Sequence, residues 1–304
     1  MNRLTGIIVA VLGVLVAILG YTNILPNLGS TGVFLVLLGG LLFGLSFVPK
    51  PEAIESEPMS FPETLVKMFY APTEVFQNLR RHPRFLGVAL VIAVILGIYT
   101  FAFFERVTPE KITNHTIEKL AESGWVPSEQ IETVRKQTLE TNASPFARTG
   151  QLINGFSGTV FLIAFLGLIF WLITLAFGGQ MNYWQGMAAT AYAFFPITLL
   201  QKSLSLLILY LKDPSEIHPI LGQNTLVQDS LNFLIAPSAS PVLYTVLSSF
   251  SLLTIYWLWL ISTGLKNAGE RVSSTTAWTS AIIIWVIGLL LGVVSALVFG
   301  NFMS

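Results

Sequence analysis

The chain has no cysteine, which excludes disulfides, thiolate metal sites and cysteine nucleophiles. It has only three histidines, His82, His115 and His218, in three separate segments and at no zinc-ligand spacing. It also lacks a phosphate-cradling glycine loop and a nucleophile elbow. Charge is scarce: 11% of residues are charged, against about 25% in an ordinary soluble domain. Lysine plus arginine number 16, as do aspartate plus glutamate, so no basic excess exists to neutralise nucleic-acid phosphates. Residues 50–84 and 105–148 hold 23 of the 32 charges, which leaves long stretches almost bare. A soluble globular protein and a disordered one are both excluded. The expectation is a non-enzymatic chain without cofactor, metal or nucleic-acid partner.

What the sequence has in abundance is apolar length. A helix rises 1.5 Å per residue, so about 20 apolar residues cross a hydrocarbon core of about 30 Å. Seven stretches approach that length: 5–22, 31–48, 86–104, 155–177, 184–201, 241–264 and 277–300, with a shorter run, 203–211, after the fifth. Their unbroken apolar character predicts an all-α membrane protein with seven transmembrane helices rather than a barrel of alternating strands. The first stretch follows Arg3 as a signal peptide would. No small-residue cleavage site comes after it, so it is read as half of a membrane hairpin turned at Asn23 to Ser30.

Orientation follows from the short loops. With the N-terminus inside, the inner segments carry Arg3, Lys50, Lys67, Arg80, Arg81, Arg84, Lys266 and Arg271, and the short outer segments carry only Lys212. The expectation is a multi-pass inner (cytoplasmic) membrane protein, N-terminus inside and C-terminus outside.

Three regions are distinguished along the chain. Residues 1–48 form a transmembrane hairpin in which Gly6, Gly13 and Gly20 recur on one face, with Gly32, Gly39 and a Gly40-x-x-x-Gly44 step on the partner. Residues 49–60 form an acidic, proline-rich linker. Residues 61–304 form the main membrane domain. Its amphipathic segment, 61–85, is read as two short helices started at Pro62 and Thr73. Their apolar stripes, which include Phe69 and Phe76, are rimmed by Lys67, Arg80, Arg81 and Arg84, a pattern suited to the inner headgroup layer. That surface contacts either anionic lipid or a partner, or else only anchors topology. Residues 105–150 predict a polar helical hairpin outside the membrane, with breaks at Ser123-Gly124 and near Asn142.

Candidate functional positions are few. Pro196 falls inside the fifth span, where it frees a carbonyl and can act as a hinge. Lys202 is the single intramembrane charge candidate, either a gate or a side chain snorkelling to the outer boundary. Gly288 and Gly292 give the last helix a close-packing face. Asp213, Glu216 and His218 are the only carboxylate-plus-histidine cluster, in an irregular loop. Asn114-His115-Thr116 matches a glycosylation acceptor by chance.

Several segments together resemble the YIP family, membrane proteins named for interacting with Ypt/Rab GTPases, in its prokaryotic branch. They are Ala71-Pro-Thr-Glu-Val-Phe-Gln-Asn-Leu-Arg-Arg-His-Pro83, Ala188-Ala-Thr-Ala-Tyr-Ala-Phe-Phe-Pro196, and Pro241 to Trp257 followed by Gly264-Leu265. The resemblance covers about 60–300. It implies a five-helix membrane domain with a cytosolic N-terminal side and an outward C-terminus, to which 1–48 and the 105–150 loop are additions. It brings no catalytic residue, and the trafficking role of eukaryotic members does not carry over. Ser251 stands where many members have an acid. The function expected is a non-catalytic scaffold that organises membrane or a membrane complex through self-association or other membrane proteins; the alternative is a small-molecule or lipid transporter.

Overall fold

A computed structural model describes residues 3–25, 28–47, 57–143 and 145–303. Lys50 and residues 49–56 of the expected linker lie outside the described residues. The elements are α1 (Arg3–Tyr21), α2 (Gly29–Leu45), α3 (Phe61–Lys67), α4 (Pro72–Arg81), α5 (Leu86–Val107), α6 (Pro109–Ser123), α7 (Ser128–Ala143), α8 (Pro145–Ala176), α9 (Tyr183–Leu211), α10 (Leu221–Asn224), α11 (Pro241–Ser248), α12 (Leu252–Ala268) and α13 (Ser274–Phe299). No strand occurs among the described residues, only isolated bridges between Gln180 and Arg271 and between Ser230 and Ser251. The all-α membrane architecture is therefore as expected.

Five helices are long and apolar enough to cross a membrane: α1, α5, residues Ile153–Ala176 of α8, α9 and α13; α2 is apolar but shorter. Rows of large apolar side chains, such as Leu86, Leu90 and Val94 on α5 and Leu290, Leu291, Val294 and Leu297 on α13, stand exposed on these helices. Surfaces of that extent belong in lipid, not water.

The spans expected at 184–201 and 241–264 differ from the helices formed. The first fuses with the following run 203–211 into one 29-residue helix, α9, about 43 Å long. Pro196 is accommodated inside it. The second breaks into α11 and α12 around Ser249 to Ser251. Continuous hydropathy hid this break because its causes are polar groups small enough to leave the average high. Ser251 Oγ accepts from Thr254 N at 2.9 Å, and Asp229 Oδ2 accepts from Leu253 N at 2.9 Å. The Asp229 carbonyl accepts from Leu252 N at 3.2 Å. Three of the first amides of α12 thus have oxygen partners, so interrupting the helix leaves little unsatisfied.

The chain divides into two compact units. One comprises Met1–Val94, Pro145–Pro196 and Trp259–Ala281; the other comprises Ile95–Ser144, Ile197–Leu258 and Ile282–Ser304.

In the first unit, α1 and α2 form the expected hairpin. A Cβ placed on Gly6 would lie 2.6 Å from Phe43 N, and one on Gly13 would lie 2.5 Å from Val36 N. Only glycine permits backbones to approach so closely, and in lipid close approach is what holds helices together. Gly20, Gly32 and Gly39 continue this seam. Gly40 and Gly44 do not join it, since a Cβ on either meets nothing within 4 Å. The hairpin rests on α8, where Phe34 stacks on Phe161 at 5.5 Å. A second glycine seam, not anticipated, joins α8 to α9: a Cβ on Gly167 would lie 2.6 Å from Met187 Cα.

In the second unit, α6 and α7 form the expected polar hairpin. Thr108 caps α6 by accepting from Lys111 N at 3.3 Å, and Gly124 closes it at φ +69°. Trp125, in the turn, meets Phe299 edge-on at 5.4 Å. Tyr99, Phe103, Leu209 and Ile217 form the buried centre of this unit. Gly292 packs near Thr245, with 3.1 Å between an added Cβ and Thr245 Cγ2, whereas Gly288 faces open space.

Candidate functional site

The first unit brings the charged residues of 61–85 together with those near 270. Helix α4 starts at Pro72, whose missing N–H costs nothing at a first turn, and ends on Arg80 and Arg81, which suit its C-terminal dipole. Its apolar stripe of Val75, Phe76 and Leu79 is fully buried in protein. A Cβ on Gly264 would lie 3.0 Å from Phe76 Cε1 and 3.2 Å from Ala189 Cβ, so the Phe76 ring occupies the space those small residues leave. This corrects the lipid-facing or partner-facing role expected of Phe76. An amphipathic stripe buries equally well against protein, and here α9 and α12 offer the small-residue surface that receives it. Phe76, Ala189 and Gly264, each from a stretch that resembled one family in sequence, meet at this point.

With α4 docked, its polar face borders a cleft of about 1180 Å³ lined by Arg80, Arg81, Lys266, Arg271 and the carboxylates Glu57, Glu74 and Glu270. Backbone pairing shapes the floor. Gln180 N donates to the Arg271 carbonyl at 3.1 Å, and Glu270 N donates to the Gln180 carbonyl at 2.8 Å. Arg80 Nη2 donates to the Glu270 carbonyl at 3.3 Å, and buried Gln185 donates through Nε2 to the Arg80 carbonyl at 2.9 Å. Glu74 is engaged with Lys67 at 3.1 Å. Arg80, Arg81, Lys266 and Arg271 appear in none of the side-chain ion pairs among the described residues.

The remaining residues of the expected surface lie outside the cleft lining. Lys67 pairs with Glu63 and Glu74, both at 3.1 Å, and these carboxylates raise its pKa above the ordinary 10.5. Phe69 is exposed and meets Phe195 edge-on at 5.8 Å. Arg84 is exposed. Helix α3 and its end leave Phe61, Val66, Phe69 and Tyr70 uncovered. Sequence reasoning found the two arginines of α4 and counted Lys266 and Arg271, but it gave no reason to place them around one cleft. The signal was Gly264, the small residue under Phe76, which fixes α4 against α12.

The second unit holds Lys202, which is buried in protein. It is 6% exposed, its Nζ donates to the Asn224 carbonyl, and the ammonium lies 4.4 Å from the Tyr99 ring centroid. Tyr99 Oη donates to the Gly222 carbonyl, and Ser205 Oγ accepts from Leu226 N at 3.1 Å. Side chains of α5 and α9 thus clamp residues 222–226. Asp213, Glu216 and His218 do not assemble a metal site: no metal-competent group of three acids or histidines occurs among the described residues. Asp213 instead caps its own turn through Ser215, which holds its carboxyl below the usual range.

A family model described as the Yip1 domain matches residues 66–296. No curated protein and no solved structure matched the chain.

Proposed function

Because the chain belongs to the Yip1 domain family, an integral membrane protein family, we propose that it acts without catalysis, as an organiser of membrane or of a membrane protein complex. One observation carries this reading: the docked α4 places four cationic side chains around one cleft while the adjoining α3 keeps an apolar surface uncovered. A cationic rim next to exposed aromatics is the composition of a headgroup-level contact surface. The positive-inside bias puts this end of the protein at the inner face, N-terminus inside and C-terminus outside. Acidic partner segments or anionic headgroups are the chemistry it would accept.

Cross-linking mass spectrometry on gently solubilised native membranes tests the reading. The expected result is adducts from Lys266 and Lys67 to other membrane proteins or to a second copy, reduced by Arg81→Glu with Arg271→Glu. A monodisperse monomer with no adduct and no preference for anionic lipid would overturn it.

A second reading, transport through the bundle, draws on the buried charge of Lys202 and on Pro196 inside α9 as a hinge. Flux into liposomes that is unchanged in Lys202→Ala would remove it.

A further inference from the structure

His115 and His218 lie 103 positions apart in sequence, yet their rings meet edge-to-face at 5.0 Å. Both line a recess of about 690 Å³ between α6 and the segment before α10. The protonation state of His218 is set by its bonds. Its Nδ1 accepts from Ile220 N and from Leu221 N, each at 3.2 Å. A nitrogen that accepts carries no proton, so the ring in this arrangement is the neutral tautomer with hydrogen on Nε2. Adding a second proton places N–H against two N–H donors, and the cap over α10 is lost.

That cap matters beyond its own turn. Residues 222–226 are the segment whose carbonyls receive Tyr99 Oη and the Lys202 ammonium, and whose Leu226 amide donates to Ser205. Gly222 is wedged so closely that a Cβ there would lie 2.8 Å from Phe103 Cε2. The segment is held at one end by a titratable ring and along its length by the side chain of a buried lysine.

We propose that the His115–His218 pair is a proton-operated latch: uptake of a proton releases residues 218–226 from their cap and loosens their hold on Lys202. Imidazole is the side chain that ordinarily changes charge between pH 5 and 8. The charged groups that line the recess with the pair are Glu110, Lys111, Glu118 and Glu216. Lys111 is occupied, donating through Nζ to the Pro214 carbonyl at 2.5 Å. Glu110, Glu118 and Glu216 bring acidic side chains, and Lys111 a basic one, to the recess that holds the pair. The closed latch excludes a proton that the open one binds, and linkage then requires closure to weaken as pH falls.

Hydrogen exchange on the full-length protein in nanodiscs, corrected for intrinsic rates at each pH, tests the latch. Protection of amides 220–226 should fall by about tenfold between pH 7.5 and 5.5, within the one-proton limit of tenfold per pH unit. His218→Asn keeps an accepting oxygen near the Nδ1 position but does not titrate, and its protection should be flat. His115→Ala removes the ring that packs edge-on against His218 and should lower protection of 220–226 at pH 7.5. Protection equal at both pH values in the parent, a response that survives His218→Asn, or protection unchanged at pH 7.5 in His115→Ala would each overturn the proposal.

Discussion

The two units solve the same problem, cohesion in lipid, by opposite means. The first is built on what its residues leave out. Gly6, Gly13, Gly167 and Gly264 remove side chains so that backbones or the Phe76 ring can close the gap. The second is built on what its residues reach for. Tyr99, Lys202 and Ser205 send polar atoms to backbone groups of residues 222–226, and Asp229 sends its carboxylate from a loop to the start of α12. Hydrophobicity distinguishes neither unit from the surrounding lipid, so close packing and polar satisfaction are the two remaining sources of specificity. The first has little tolerance for added volume, the second little for lost donors.

The sharpest way to break the contrast is to add volume at a seam. Gly13→Leu sets a side chain where even a Cβ would be 2.5 Å from Val36 N, so the α1–α2 hairpin has to separate. The expected cost is about 3 kcal/mol of local packing. Gly44→Leu, at a position open on this chain, should be close to neutral. Thermal melts in detergent, read with a proteolysis assay specific to the hairpin, compare the two. A Gly44→Leu loss as large as that of Gly13→Leu would mean the outer face is packed too.

Removing a donor is the matching break in the second unit. Lys202→Met keeps the length of the side chain but leaves the Asn224 carbonyl unserved and removes the cation from the Tyr99 ring. An unsatisfied buried acceptor costs about 1–3 kcal/mol. Faster exchange should be confined to residues 222–226, and uniform loosening of the whole chain would contradict the clamp. Asp229→Ala is smaller still. It withdraws the carboxylate that accepts from Leu253 N, for which the ordinary loss of a helix cap is about 1 kcal/mol. The effect should appear at the first turn of α12. Asp229 also gives a physical sense to Ser251, the position where an acid was expected. The carboxylate at this helix start arrives from the preceding loop, 22 residues upstream, rather than from the helix itself.

This contrast also decides what could be read in advance. The glycine repeat of the hairpin is legible because a seven-residue spacing places Gly6, Gly13 and Gly20 on one face without knowledge of any partner. The polar hairpin 105–150 is legible because Thr108-Pro109 and Ser123-Gly124 are local signals, complete within a few residues. Lys202 could be singled out as a charge in an apolar run, but not its partners. Those are backbone carbonyls in a loop with no periodicity, and every residue type carries the same carbonyl. The same holds for the His115–His218 contact, which needs α6 and the loop after α9 to be placed first. Phe76 was misread for a related reason: an apolar stripe records that something covers it, not whether that is lipid or protein.

The smallest expected effect separates a local cap from a long-range clamp. Asp213 accepts from Ser215 N at 2.8 Å and Ser215 Oγ at 2.5 Å, and these bonds hold its carboxyl below the ordinary value. Because the folded pKa is lowered, the turn gains from an ionised carboxylate above the unfolded value and loses that gain as pH falls through the folded one. The group is fully exposed, so the consequence should be confined to residues 213–216. Asp213→Asn should therefore abolish only an acid-dependent change at 213–216, at a pH below the imidazole range, and leave 220–226 unaffected. NMR or hydrogen exchange across a pH series reads both segments at once. If Asp213→Asn also removed the response of 220–226, the neighbouring turn rather than the histidine pair would control that segment, and the second unit would be governed by local capping after all.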